Sequence, residues 1–144
     1  MAEANRLSKF GWEEGRSVDH RPSLRKLEQL GHVVAHWFPR VIGEFDGLTL
    51  RFRDSDGSAD EIVLSVSEAA RLWLPDTVAY YGERAGCLLL PIGYTYNAHL
   101  LLLVSEHDVW YGGYDDGFWK VGDSSREAMD QLVIGSGFDE VDSN

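Results

Sequence analysis

Cysteine is almost missing from this chain. Cys87 is the single one in 144 residues, so no disulfide can close within the chain and no thiolate cluster can hold zinc. Its apolar neighbours, Leu88 to Leu90, mark it as an inert buried thiol. Proline is scarce too, at four residues, and no Pro/Gly/Ser-rich stretch divides the sequence into parts. Long apolar runs are lacking: the longest, Leu100–Val104, falls far short of the ~20 residues of a membrane helix. The opening residues, MAEANRLSKFGW, lack the apolar centre of a secretory signal. These absences leave one soluble cytoplasmic domain over residues 1–137, with 138–144 as an acidic tail expected to fray. That length suffices to bury roughly two thirds of the unfolded surface.

Positive charge is also in short supply. Thirteen Lys and Arg face 24 Asp and Glu, for a net charge of −11. The deficit is uneven. Residues 1–53 carry nine basic against seven acidic side chains, residues 54–104 two against seven, and residues 105–144 two against ten. A surface of this kind repels nucleic acid and membrane phosphates and attracts a basic protein partner, although acidity for solubility alone is the simpler alternative. The expectation is a monomer with no nucleic-acid or membrane contact.

Apolar runs and turn residues are plentiful between Gly86 and Gly117. Cys87–Leu90 and Leu100–Val104 read as buried strands separated by a turn at Pro91 and Gly93. Ser105–Asp108 reads as a tight turn returning Val109–Tyr114 antiparallel to the second strand. Upstream, Ala2–Phe10 reads as a short helix stopped by Gly11. Leu27, Leu30, Val34, Trp37 and Phe38 recur at helical spacing, so one helix is expected from Pro22 to Phe38, ended by Pro39. Leu48–Arg53 alternates as a half-buried strand, Asp54–Gly57 turns, and Glu61–Val66 returns. Ser65 and Glu68 have capping-box spacing before a short helix, and a second helical segment follows Pro75. Downstream of Phe118–Val121, a further strand, Ser124 and Glu127 repeat that spacing before a last helix, with Gly135 as its cap. Trp12 is expected to pack on the sheet, and Arg16 to satisfy a carboxylate or exposed carbonyls. The fold class is therefore α+β: a single domain with an antiparallel or mixed sheet of about five to six strands, flanked by helices.

Chemistry-bearing motifs are incomplete. His32 and His36 stand one helical turn apart, but Val33 occupies the place of a zincin's general base and no third ligand cluster follows. Gly122-Asp123-Ser124-Ser125 resembles a hydrolase stretch, yet the helix cap explains Ser124 and Glu127. Asp54–Gly57 lacks the sixth-position glycine and twelfth-position glutamate of a calcium loop. Neither a phosphate-binding loop nor a dinucleotide fingerprint is present. No cofactor, metal or catalytic residue is assigned. Tyr111, Tyr114 and Trp119, with Asp115 and Asp116, instead form a candidate protein-binding turn, since aromatics beside charge are frequent at interface hot spots. Glu106 and Asp108, on the neighbouring hairpin turn, are expected to extend its negative face. Trp110 and Phe118 are expected in the core.

Four motifs in order resemble a known bacterial pattern. They are Leu7-x-x-x-Gly11-Trp12-x-x-Gly15-Arg16, then Phe45-Asp46-Gly47-Leu48, then Gly86-x-x-x-x-Pro91-Ile92-Gly93, then Val109-Trp110 with Gly122-x-x-x-x-Glu127-Ala128 and Gly135. The chain resembles the third subfamily of the SUKH immunity proteins over about residues 7–135. Asp46 stands where that pattern often has the first of two glycines, and Tyr94 where an acid often follows. The resemblance implies an α+β fold whose sheet binds a cognate toxin, commonly a secreted nuclease or deaminase, by stoichiometric association without catalysis. An intracellular scaffold or regulator of the same fold, or an enzyme of unfamiliar type, are the rival classes. A toxin gene directly upstream separates immunity from the scaffold.

Overall fold

The computed structural model describes residues 15–53, 59–95, 99–134 and 139–141. The expected Ala2–Phe10 helix, the packing of Trp12, the Asp54–Gly57 turn and the Gly135 cap lie outside the described residues.

The helical periodicity after Pro22 is divided between two helices. Helix α1, Arg21–Gln29, has Pro22 in its first turn and stops at Leu30. Gly31 follows at φ +85°, a left-handed conformation that a side chain would resist. It donates to the Glu28 carbonyl while His32 donates to Leu27, so the end of the helix is closed. Helix α2, Phe38–Phe45, then has Pro39 at its start. The single helix expected over Pro22–Phe38 is thus corrected. The period survives because both helices set Leu27, Trp37 and Phe38 into one core, while Gly31 breaks the backbone between them.

Strand β1, Leu48–Arg53, pairs antiparallel with β2, Ala59–Leu64. Helix α3, Val66–Leu72, starts at Ser65, whose hydroxyl accepts from the Glu68 N–H at 3.2 Å. Helix α4, Pro75–Ala85, begins at Pro75 and ends in Gly86. The next strand, β3, runs over Leu90–Thr95 rather than Cys87–Leu90. Pro91 and Gly93 are therefore inside it, at a register shift against β4 where proline is tolerated. Strands β4, Leu100–Val104, β5, Trp110–Tyr114, and β6, Gly117–Gly122, continue as hairpins. Helix α5, Ser125–Ile134, follows with the Ser124 hydroxyl accepting from the Glu127 N–H at 3.2 Å. Asp139–Glu140, within the stretch read as a tail, pairs with β6 as a short β7. The α+β expectation holds: among the described residues, one antiparallel sheet takes seven strands in chain order.

Alternation along the strands gives the sheet two buried faces. Leu48, Leu50, Ile62, Leu64, Ile92, Leu102 and Trp110 pack with α1, α2 and α5 on one face. Leu101, Leu103 and Phe118 pack with Val78 and Tyr81 of α4 on the other. Trp110 and Phe118 are fully buried, as expected. Cys87 is exposed, not buried, because it lies in the connection before β3 rather than in a strand. Partial burial still pushes its thiol pKa up. Among the described residues, no helix is long and apolar enough to cross a membrane.

Candidate functional site

The β5–β6 turn lies at an end of the second sheet face, beside α4. Tyr114 is 47% exposed, Asp115 and Asp116 are exposed, and Asp115 holds φ +50°. Few non-glycine residues enter that region, Asp among them, and surrounding bonds can fix it there. Here the hold comes from α4. Tyr81 donates its hydroxyl to the Asp115 carbonyl at 2.8 Å, and Arg84 donates from Nη1 to the Asp116 carbonyl. Arg84 also donates from Nη2 to Val141 O at 2.9 Å, with its guanidinium 5.5 Å from the Phe118 ring centre.

Packing fixes Tyr81 in turn. Its ring stacks on Phe118 at 5.3 Å and covers Gly113, where a Cβ would come within 2.5 Å of the ring. A residue larger than glycine at 113 would displace the tyrosine. Burial first, and then the Asp115 charge, push the Tyr81 phenol up to about 12. The hydroxyl therefore stays a donor throughout the neutral range. Both carbonyls of the turn are pinned, whereas neither the Asp115 nor the Asp116 carboxylate has a partner among the described residues. Two adjacent negative charges are presented outward on a fixed turn.

The other residues expected at this site are placed differently. Tyr111 is half-buried on the α4 face, stacked on Phe118 at 5.0 Å. Trp119 is half-buried and packs toward the opposite face, over Gly117. Glu106 and Asp108 stand in the β4–β5 turn, at the far end of the five-residue β5 from Asp115 and Asp116. A strand of that length separates them by roughly 13 Å or more. The Asp108 carboxylate is engaged, accepting from Trp110 Nε1 at 3.1 Å and from the Ser125 N–H at 2.9 Å. It ties the hairpin to the start of α5. The Glu106 carbonyl accepts from Arg40 at 3.3 Å, and its carboxylate lies 3.8 Å from His36. Tyr114, Asp115 and Asp116 are the part of the expected set that the turn brings together.

Sequence reasoning missed Tyr80, Tyr81 and Arg84. The only local signal is their common helical face, and nothing in α4 itself announces that a strand turn arrives there from 32 to 34 residues downstream.

The histidine pair separates. His32 is buried, with Nε2 3.0 Å from the Ala70 carbonyl, while His36 is 87% exposed in its side chain. The helix that was to carry both ends before either. Among the described residues, no group of three His, Cys, Asp or Glu could hold a metal ion. Arg16 meets its expectation by donating to the Glu44 and Asp46 carbonyls at 2.8 and 2.9 Å, at the open end of α2.

Two further surfaces stand out. A mostly apolar groove of about 370 Å³ lies between α4 and the connection before β3, bounded by Val33, Pro75, Ala79, Cys87 and Leu88. On the α4 face, Trp73 and Tyr94 lie 6.2 Å apart beside Val63.

One antiparallel sheet in chain order, with helices on both faces, defines an α+β protein of the single-sheet class. The family model of the SUKH-3 immunity protein matches residues 3–135, and the chain belongs to that family. No curated protein matches the chain, and no solved structure does.

Proposed function

We propose that this chain protects a bacterial cytoplasm from a polymorphic toxin by binding the toxin one to one, without catalysis. Family membership supports the class of function. The observation that carries the mode of binding is the β5–β6 turn: two exposed carboxylates without side-chain partners among the described residues, on a backbone pinned by α4. A nuclease must be basic to hold phosphates, and a nucleic-acid deaminase faces the same demand. An inhibitor of net charge −11 is steered towards such a surface, and Asp115 and Asp116 then meet its cationic side chains. Tyr114 supplies the desolvated contact beside them, and Tyr111 and Trp119 support the strands behind the turn. Glu106 and Asp108 belong to a different end of the sheet and add only to the long-range field.

The test is purification with the toxin domain encoded directly upstream, followed by a titration of toxin activity. The expected result is a one-to-one complex and loss of activity that is complete at one equivalent. Catalytic inactivation at far below one equivalent, or no complex at micromolar concentrations, overturns the proposal.

A further inference from the structure

The Asp115 backbone is left-handed, a conformation that Asp tolerates better than most residues but that a free turn need not keep. Beyond the strand pairing of Tyr114 with Gly117, the turn's backbone is held by two side chains of α4. Tyr81 holds the Asp115 carbonyl and Arg84 the Asp116 carbonyl. Arg84 reaches further: the same Nη1 lies 3.4 Å from the Tyr80 hydroxyl, the guanidinium is 5.7 Å from the Tyr80 ring centre, and Nη2 bonds Val141. One planar fork thus joins Tyr80, the turn and the residue after β7. Its two terminal nitrogens donate to carbonyls and a phenol while Nε is buried without a partner among the described residues, so none of them engages the carboxylates. Tyr80 is 40% exposed and next to the turn, so it widens the surface with an aromatic face.

We infer that α4 is the frame of the docking surface. Tyr81 and Arg84 are positioning residues that set the turn in its binding shape before the partner arrives, and Tyr80 is a contact residue. The inference rests on the reading that Asp115 and Asp116 meet a basic toxin, and it specifies the chemistry of that toxin's face. The face offers two cationic side chains close enough to reach adjacent carboxylates, flanked by an apolar or aromatic group that covers Tyr80 and Tyr114. Preorganisation lowers the ordering cost at binding, so its loss appears in the dissociation rate.

Charge and positioning make opposite predictions for Arg84, and this decides the test. Arg84→Gln removes a positive charge beside the acids, which by electrostatics alone would tighten binding to a basic partner. Loss of positioning loosens it. The measurement is association and dissociation rates with the purified upstream toxin domain, for the wild type, Arg84→Gln, Tyr81→Phe, Tyr80→Ala and the double variant Asp115→Lys/Asp116→Lys. Arg84→Gln is expected to associate as fast as the wild type or faster and to dissociate about tenfold faster. Tyr81→Phe keeps the ring stack and the net charge. It is expected to leave association unchanged and speed dissociation, and it carries the test if Arg84→Gln does not fold. Tyr80→Ala should also speed dissociation. Unchanged or slower dissociation in both Arg84→Gln and Tyr81→Phe, with slowed association in the lysine double variant, overturns the positioning role and leaves the acidic surface standing. A folded lysine double variant that binds like the wild type overturns both.

Discussion

Asp46 joins α1, α2 and α3 at a point where glycine would leave nothing to join. Its Oδ2 accepts from the Ser23 hydroxyl at 2.6 Å, and its Oδ1 accepts from the Val66 N–H at 2.8 Å, in the first turn of α3. Its own N–H closes α2 on the Ile42 carbonyl, and its carbonyl receives Arg16. Hydrogen bonds to a charged group contribute about 1.5–3 kcal/mol, so Asp46→Ala should lose that much stability. Urea denaturation measures it; a shift under about 0.5 kcal/mol, the scale of an unengaged surface position, would show that the carboxylate holds nothing together. At this scale the sequence is legible where partners are local. The Ser65–Glu68 and Ser124–Glu127 caps follow from spacing alone. The role of Asp46 does not, because its partners are 20 and 23 residues away.

Among the elements, β4 is the centre. All five of its residues are buried, with Leu102 fully so against α1, α2 and α5 and Leu101 and Leu103 against α4. Leu102→Ala should cost ~2–5 kcal/mol, the usual effect of truncating a buried leucine. The thermal or urea midpoint checks it, and a near-neutral result would place β4 outside the core. A continuous apolar run bounded by polar turns made this strand and its hairpin with β5 readable in advance. Strand β3 was less so: its run begins in an exposed connection at Cys87, and its proline sits at a register shift that pattern alone does not reveal. The break between α1 and α2 was misread for a related reason. Both helices keep the period of one core, although Gly31 at φ +85° opens a non-helical link over residues 30–37 between them. The site divides in the same way. The turn and its acids are local, whereas the α4 residues that pin it become neighbours only through the topology.

For the whole molecule, net charge and turn geometry act at different distances. The field of −11 gathers a basic partner from beyond contact, and the two carboxylates act at the end of the approach. Replacing both Asp115 and Asp116 by Lys moves the net charge four units towards neutrality and reverses the sign of the turn. Association should slow and its dependence on ionic strength flatten, with the fold intact, because turn tips tolerate charge changes. Association rates across a salt series, for the wild type and this double variant, measure the effect. Superimposable curves would return the turn to an ordinary solvated loop.

The chain-ordered sheet has a consequence for synthesis. Each strand pairs with the one made just before it, so pairing never waits for a segment still inside the ribosome. Such local connectivity favours quick folding for a protein with this much sheet. The longest interval, between β2 and β3, is filled by α3 and α4. As a result, α4 leaves the ribosome ahead of Asp115 and Asp116, and the acidic turn emerges after the helix that receives it.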